Sequence, residues 1–249
     1  MAAAPGWQID RFNAILDLDA SGAFIAREAI DADFGLLSQP GIVREITAER
    51  RVDGDHVRQF PMSLLAINDA QGRPLPVQAS QRGALQRFQI GDPRAAVAGK
   101  QTYRLAYQVR RALTGSATYD ELQWSATGAW PVPIGSTAIV VRPPAGGILE
   151  ATCAQGAPSS SKEECRASFT DKAATFTSTR SLAAGEELTV DVRFSKRTFP
   201  EPQPLVVARA QPPAATPGAG RFALATEAAV LGIVLVIAAA WWRTRRSAR

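Results

Sequence analysis

The feature that most constrains this chain is an apolar run near its C-terminus, residues 222–242, which reads FALATEAAVLGIVLVIAAAWW. Its 21 residues would form a helix about 31 Å long, which matches a bilayer core of about 30 Å. Trp241 and Trp242 close the run, and tryptophan favours the headgroup level of a membrane. A buried core helix would be shorter and would need no such ending. The run therefore predicts one transmembrane helix over residues 222–242.

Basic residues around this run predict its orientation. Arg243, Arg245 and Arg246 follow it directly, whereas only Arg221 lies close on the other side. By the positive-inside rule, the tail 243–249 lies in the cytoplasm and the preceding chain lies outside it. The net charge is +5, and four arginines of the tail supply most of it. No basic patch then remains for nucleic acid on the rest of the chain, because such binding depends on neutralising phosphates.

Two features of this membrane assignment leave alternatives open. Glu227 interrupts the apolar run near its outer end, where it can reach the interface or be protonated; alternatively it contacts a partner helix in the membrane. The chain opens MAAAPGWQID, without a basic and apolar leader. We expect residues 1–6 to be the disordered remnant of a removed leader. A tail-anchored protein with a cytoplasmic domain is the alternative, but it would place the arginines outside.

Residues 7–197 are predicted to form an all-β domain. Hydrophobic residues alternate with polar ones over 103–109 and again over 188–194, which is typical of half-buried strands. Ser21-Gly22 is expected to turn a hairpin between residues 7–19 and 23–34. No long helical period occurs before the apolar run. The expected fold is an antiparallel β-sandwich, either one large domain or two in tandem with a boundary near residues 113–117.

Between this domain and the apolar run, residues 198–221 are rich in proline and alanine. Proline fixes φ and lacks a backbone N–H donor, so it favours an extended conformation over a helix or sheet. The segment is therefore predicted to be a stalk that separates the domain from the bilayer.

Cys153 and Cys165 are the only cysteines, and they flank a polar stretch, CAQGAPSSSKEEC. A pair that closes a short loop outside the cytoplasm is expected to form a disulfide. Two thiols and one distant histidine are too few for a structural zinc site, which usually needs four ligands. We expect neither a metal nor a cofactor.

The sequence contains no recognisable catalytic constellation. The single histidine, His56, follows Asp53 in a polar turn, so a solvated loop residue is the expected role. Two segments stand out: 39–46 contains Arg44 and Glu45, and 119–133 combines two acids with two tryptophans. They predict a binding surface, although tryptophans in a sandwich are more often core residues. Its candidate residues are Arg44, Glu45, Asp120, Glu121, Trp124 and Trp130.

Several segments, in this order, resemble the bacterial and archaeal predicted membrane proteins grouped as domain of unknown function 2207. The segments are Trp7–Ile9, Arg27-Glu28, Gly41–Ile46, Ile90–Asp92, Tyr103–Ala112, Asp120–Ile134 and the two cysteines. The resemblance implies the exported domain of a membrane protein and supplies no reaction or catalytic residue. The chain departs from the family's pattern in lacking a leader and in ending after the first membrane helix, where many relatives continue.

Together these features predict a single-pass, membrane-anchored domain outside the cytoplasm that acts as a non-catalytic binding or assembly module of the cell envelope. Its partners are expected to be the lipid bilayer and an envelope protein or glycan. A glycan-binding domain, or a hydrolase that uses Asp120 or Glu121 with a distant carboxylate, is the alternative. Exposed, coplanar tryptophans would favour a glycan, and buried ones a protein partner.

Overall fold

The computed structural model describes residues 6–162 and 164–209, and within these ranges the chain is all-β, without a helix. This confirms the predicted fold class. The strands are β1 (Gln8–Leu18), β2 (Phe24–Asp33), β3 (Ile42–Thr47), β4 (Glu49–Arg51), β5 (His56–Gln59), β6 (Met62–Asn68), β7 (Val77–Arg82), β8 (Leu85–Ile90), β9 (Lys100–Val109), β10 (Leu113–Gly115), β11 (Tyr119–Ser125), β12 (Ile134–Arg142), β13 (Ile148–Gly156), β14 (Cys165–Thr170), β15 (Ala173–Ser178), β16 (Glu187–Ser195) and β17 (Leu205–Ala208).

The predicted hairpin at the start of the chain is present. β1 and β2 pair antiparallel, from Gln8 opposite Asp33 to Leu18 opposite Phe24. Asp19 organises the turn between them, since its side chain accepts a hydrogen bond from the Ser21 backbone N–H at 2.8 Å. Alternate residues of β2 are buried, so one face of the hairpin is directed at the core.

The largest sheet has seven strands in the order β14-β15-β12-β1-β2-β9-β6. Strands from both sides of residues 113–117 share this sheet, so those residues do not separate two sandwiches in the described structure. One pair departs from the antiparallel expectation, because β1 and β12 run parallel, with Ile9 opposite Ile134. A parallel pair needs a long crossover, and here the intervening chain contains strands β2 to β11.

A four-stranded sheet, in the order β10-β11-β16-β13, faces the large one. Its inward residues are predominantly apolar and join those of the large sheet in one hydrophobic core. Phe24 of the large sheet packs edge-on against Trp124 of the smaller sheet, with ring centroids 5.1 Å apart. Aromatic pairs in this geometry stabilise the packing beyond their buried area.

Two three-stranded sheets, β3-β8-β7 and β17-β5-β4, complete the domain. The start of β3 and the end of β8 approach so closely that both positions require glycine. A Cβ atom on Gly41 would lie 1.9 Å from the carbonyl oxygen of Ile90, and one on Gly91 would lie 2.1 Å from that of Pro40. Both glycines also have positive φ, at 124° and 117°.

The segment after β16 remains attached to the domain as far as residue 209. Phe199 is buried and packs against Phe194, with centroids 5.2 Å apart. Strand β17 then pairs with β5, from Leu205 opposite Gln59 to Ala208 opposite His56. Part of the segment predicted to be a stalk is therefore a strand of this domain. Residues 210–221 of that stalk, the predicted membrane helix and the basic tail lie outside the described residues.

Candidate functional site

An ion pair is fully buried between the two main sheets. Nε and Nη2 of Arg44 donate to the two carboxylate oxygens of Glu28, at 2.9 and 2.7 Å. The Tyr107 hydroxyl donates to Glu28 Oε1 at 2.6 Å. Both charged side chains are only 1% exposed. Such a pair is tolerated in a core only when its hydrogen-bonding capacity is satisfied.

The remaining donors of Arg44 are also satisfied. Nη1 donates to the backbone oxygens of Thr127 and Glu45, at 2.7 and 2.8 Å, and Nη2 donates to that of Ala126 at 3.1 Å. A guanidinium has five N–H donors, so each has one acceptor. Gly128 leaves room for the group, since a Cβ atom there would lie 2.6 Å from Nη1.

The electrostatics of this network hold its protonation states fixed. Burial by itself would lower the pKa of Arg44, but the facing Glu28 carboxylate outweighs burial and raises it. Burial raises the pKa of Tyr107 well above its ordinary value, and the Glu28 charge adds to this effect. The guanidinium stays charged and the phenol stays neutral at physiological pH. The network therefore connects strands β2, β3 and β9 to the segment after β11, and it offers no atom to a ligand.

Four of the residues predicted for a binding surface lie inside the domain. Arg44 is in the network, and Trp124 and Trp130 are 1% and 4% exposed. The Trp130 indole N–H donates to the Thr127 carbonyl at 2.9 Å. Asp120 is buried and accepts from Lys196 Nζ at 2.7 Å. A surface that contains these four residues is not formed, because strand alternation points Arg44, Asp120 and Trp124 inward. Trp130, in the segment between β11 and β12, is buried as well.

The other two predicted residues, Glu45 and Glu121, are partly accessible and point to the opposite side of their strands. Glu121 accepts from Arg193 Nε at 3.1 Å, and Arg193 Nη1 donates to Glu150 at 2.5 Å. Glu45 lies 3.6 Å from Arg87. Since Asp120 and Glu121 occupy opposite faces of β11, they cannot act together on one substrate.

Glu45 borders a groove of about 740 Å³ on the outer face of the four-stranded sheet. Ligand clefts in proteins commonly have volumes of this order. Side chains from β11, β13 and β16 form its floor, the β3–β4 region forms one wall, and the loop 158–161 forms the other. The main polar groups that line it are Glu45, Thr47, Arg50, Gln123, Ser125, Thr152, Ser159, Ser160, Ser161, Glu187, Thr189 and Asp191.

Two acidic side chains on β16 define the floor. Glu187 accepts from the hydroxyl of Ser125 at 2.5 Å and from that of Thr189 at 3.3 Å. Burial, together with the nearby Glu121 carboxylate, raises the pKa of Asp191 to about 6. No sequence pattern marks Glu187 or Asp191, because a polar residue at an outward position is what any half-exposed strand carries.

One guanidinium reaches the groove from the wall. Arg50 Nη1 donates to Gln123 Oε1 at 2.9 Å, and its guanidinium lies 5.7 Å from the centre of the Phe60 ring. Burial lowers the pKa of Arg50, while the Glu187 charge opposes this shift. The arginine therefore contributes to the wall through contacts within the domain.

The loop wall is held by a disulfide. Cys153 on β13 and Cys165 on β14 are bonded, with Cα atoms 6.1 Å apart. This confirms the predicted pairing. Inside the loop the Gln155 backbone N–H donates to the Lys162 carbonyl at 3.1 Å. The buried Gln155 side chain accepts from the Thr179 N–H at 3.2 Å. These contacts fix the position from which residues 158–161 border the groove.

The described ranges contain no cluster of metal-ligand type, and their one histidine is exposed. Among those residues, no three His, Cys, Asp or Glu side chains are grouped as metal ligands would be. His56 is exposed at the start of β5, and its Nδ1 lies 3.0 Å from Asp53.

Within residues 6–162 and 164–209, no helix is long and apolar enough to cross a membrane. The predicted interface residues Glu227, Trp241, Trp242, Arg243, Arg245 and Arg246 lie outside these ranges.

Solved structures similar to this chain include M1 peptidases. Yeast LTA4 hydrolase matches with a TM-score of 0.49 and 8% identity over 75% of this chain and 28% of its own. The M1 zinc metallopeptidase from Deinococcus radiodurans matches with a TM-score of 0.39 and 11% identity over 86% of this chain and 51% of its own. The chain thus spans about half or less of these proteins, and likenesses this weak carry no functional argument. A search of curated proteins found no match.

The family comparison covers most of the chain. The family model described as "Predicted membrane protein (DUF2207) N-terminal domain" matches residues 8–194. That range runs from the first residue of β1 almost to the end of β16, so it contains both main sheets, the buried network and the groove. Three residues from the segments that carried the resemblance, Glu28, Arg44 and Gly128, meet at that network. The chain belongs to the family of predicted membrane proteins with domain of unknown function 2207, and residues 8–194 are its N-terminal domain.

Proposed function

We propose that this domain is a non-catalytic binding or assembly module that is tethered to the membrane and faces the cell envelope, and that its contact surface is the groove over the four-stranded sheet. The observation that carries the proposal is the groove itself, a concavity of about 740 Å³ lined by carboxylates and hydroxyls. Of the charged residues predicted for a binding surface, Arg44 and Asp120 lie in the core. A partner would therefore meet the residues around Gln123, Glu187 and Asp191.

The chemistry of the groove favours a protein partner over a glycan. Sugar recognition commonly uses exposed aromatic rings, whereas Trp124 and Trp130 are buried. None of the residues that line the groove is aromatic. Hydroxyl and carboxylate side chains instead suit the backbone amides and polar side chains of a polypeptide.

The envelope location rests on three features. The chain belongs to a family of predicted membrane proteins. Its two cysteines form a disulfide, which is typical of compartments outside the cytoplasm. The apolar run 222–242, followed by arginines, fits a single span with its C-terminus in the cytoplasm.

Site-specific photocrosslinking tests the groove in cells. A photoreactive amino acid replaces Gln123, which is exposed on the floor. The matched control carries it at Arg104, an exposed strand residue on the outer face of the large sheet. We expect one discrete crosslinked protein from position 123 and none from 104. Crosslinks from 104 alone, or from neither position, would contradict the proposal.

A carboxylate-dependent hydrolase is a second candidate, and one observation favours it. Asp191 has a pKa raised to about 6 and lines an open groove, as a general acid must. Its acidic neighbour Glu121 forms an ion pair with Arg193, whose Nε donates to the Glu121 carboxylate. Turnover of cell-wall glycans or peptides by the purified chain, abolished by Asp191→Asn, would establish this function; equal turnover by both proteins would reject Asp191 as its acid.

A further inference from the structure

The charges around the groove are unbalanced. Glu45, Glu187 and Asp191 line it, and Arg50 is the only basic residue among the lining side chains. Arg50 already donates to the side chain and the backbone oxygen of Gln123, at 2.9 and 3.4 Å. A ligand in the groove therefore meets an excess of negative charge.

Asp191 and Glu187 both line the groove, and the charge of Arg193 offsets that of Asp191 only in part. Arg193, on the same strand and face, forms ion pairs with Glu121 at 3.1 Å and with Glu150 at 2.5 Å. No basic side chain of the described ranges lies within ion-pair distance of Asp191. A half-buried carboxylate in this position gains from a cation that arrives with the ligand.

The groove also suits the apolar part of a long basic side chain. Leu85 and Pro158 lie at its edges, while Thr152, Ser160 and Thr189 offer hydroxyls. Lysine and arginine bury their methylene stems against apolar surface and keep the charged group among polar partners. A volume of about 740 Å³ accommodates such a side chain together with flanking backbone.

We propose that the groove binds an extended peptide segment of a partner protein through a lysine or arginine side chain whose charge is accepted by Asp191 and Glu187. This inference rests on the proposed function and names the chemistry of its partner. Glu45 on the wall strengthens the field without contacting the same cation. The loop 158–161, held by the disulfide, closes the opposite side over the peptide backbone.

Protonation of Asp191 is expected to regulate this contact. The groups that face it are Glu121 from β11, Glu150 from β13, Arg50 from β4, Glu45 from β3, and Glu187 and Arg193 from its own strand. Burial and Glu121 raise its pKa to about 6, so the carboxylate is ionised at pH 7.5 and mostly protonated at pH 5. A cation binds the ionised form, and its affinity therefore falls as the pH decreases through 6.

The test uses the full-length chain in non-ionic detergent and a fluorescent hexalysine peptide, with hexaglutamate as the probe of opposite charge. Fluorescence anisotropy at pH 7.5 gives the dissociation constants. We expect hexalysine to bind, hexaglutamate not to bind, and Asp191→Asn with Glu187→Gln to weaken hexalysine at least about tenfold. Asp31→Asn removes one carboxylate charge from the outer face of the large sheet, away from the groove, and we expect it to change the affinity less than about twofold.

The pH dependence supplies a second readout. Between pH 7.5 and pH 5 we expect the affinity of the native chain for hexalysine to fall by up to about tenfold, and that of Asp191→Asn to change much less. Thermal denaturation of each variant establishes that it is folded.

Three outcomes would overturn the inference: no hexalysine binding, equal binding of both probes, or equal losses in the groove variants and in Asp31→Asn. If photocrosslinks from position 123 persist in any of these cases, the groove remains a contact surface and only its cationic ligand is rejected. If the crosslinks are also absent, the proposed function fails with it.

Discussion

Replacing Arg44 with methionine should destabilise the domain more than almost any other single change. Methionine retains much of the apolar volume of the side chain but none of its five donors. The change leaves the Glu28 carboxylate buried with only the Tyr107 hydroxyl as a partner. It also removes the donor from the carbonyl oxygens of Ala126 and Thr127, which lie in the core beside the network.

The size of the effect follows from these losses. Breaking a buried ion pair by removing one partner costs about 3–5 kcal/mol. A domain of this size has a free energy of unfolding of about 5–15 kcal/mol, so between about a fifth and all of the stability is lost. At about 2–4 °C per kcal/mol for chains of 150–250 residues, the melting temperature should fall by about 6–20 °C.

Thermal and urea denaturation, followed by circular dichroism, measure this change. Arg27→Met is the matched control, because Arg27 lies on β2 beside Glu28, is exposed, and pairs with Asp17 at 2.5 Å. An exposed pair of this kind contributes about 0–1 kcal/mol. In the double variant Arg44→Met with Glu28→Leu, the stranded carboxylate is gone, and part of the stability should return. If the Arg44→Met variant were as stable as the Arg27→Met variant, the role assigned to the network would be refuted.

Three further changes probe other parts of the domain. Trp124→Ala should lower the free energy of unfolding by about 3–5 kcal/mol because the ring fills the core; a small loss in urea denaturation would contradict its burial. Replacing Cys153 and Cys165 by serine should cost about 3 kcal/mol in the chain-entropy model, and an unchanged urea midpoint would contradict a stabilising bond. Asp191 has a folded pKa raised to about 6, above its unfolded value, so the stability it contributes is fully present below the unfolded pKa and is lost as the pH rises through 6. Relative to Asp191→Asn, the native chain should therefore gain stability in urea between pH 7 and pH 5, and a constant difference would contradict the shift.

Strand alternation made much of this fold predictable. In the all-β reading, Tyr103, Leu105, Tyr107 and Val109 share one face, and all four are buried. The same alternation also indicates the buried network, which single-residue motifs do not reveal. Glu28 falls between Ala26 and Ile30 on the inward face of β2, and Arg44 falls between Ile42 and Ile46 on that of β3. An acid and a base at inward positions of two strands predict a buried pair.

The candidate site was less predictable, for a physical reason. A groove depends on how sheets and loops are placed in three dimensions, and the outward residues of β11, β13 and β16 carry no pattern that marks them. The segment around Trp124 and Trp130 was predicted to form a binding surface because aromatic and acidic residues occur together there. Tertiary packing instead assigns the tryptophans to the core and leaves Glu121 to pair with Arg193. The parallel pairing of β1 with β12 was equally hidden, since register between distant strands follows from the whole fold.

The proposed location of the domain outside the cytoplasm determines which partners can reach the groove. The direct measurement is labelling of Cys153 and Cys165 with a membrane-impermeant maleimide on spheroplasts that express the full-length chain, combined with external protease. We predict labelling only after reductant is added, and loss of the domain to the protease. Labelling without reductant that appears only after the membrane is permeabilised, with the domain protected from protease, would contradict the claim and move the search to cytoplasmic partners.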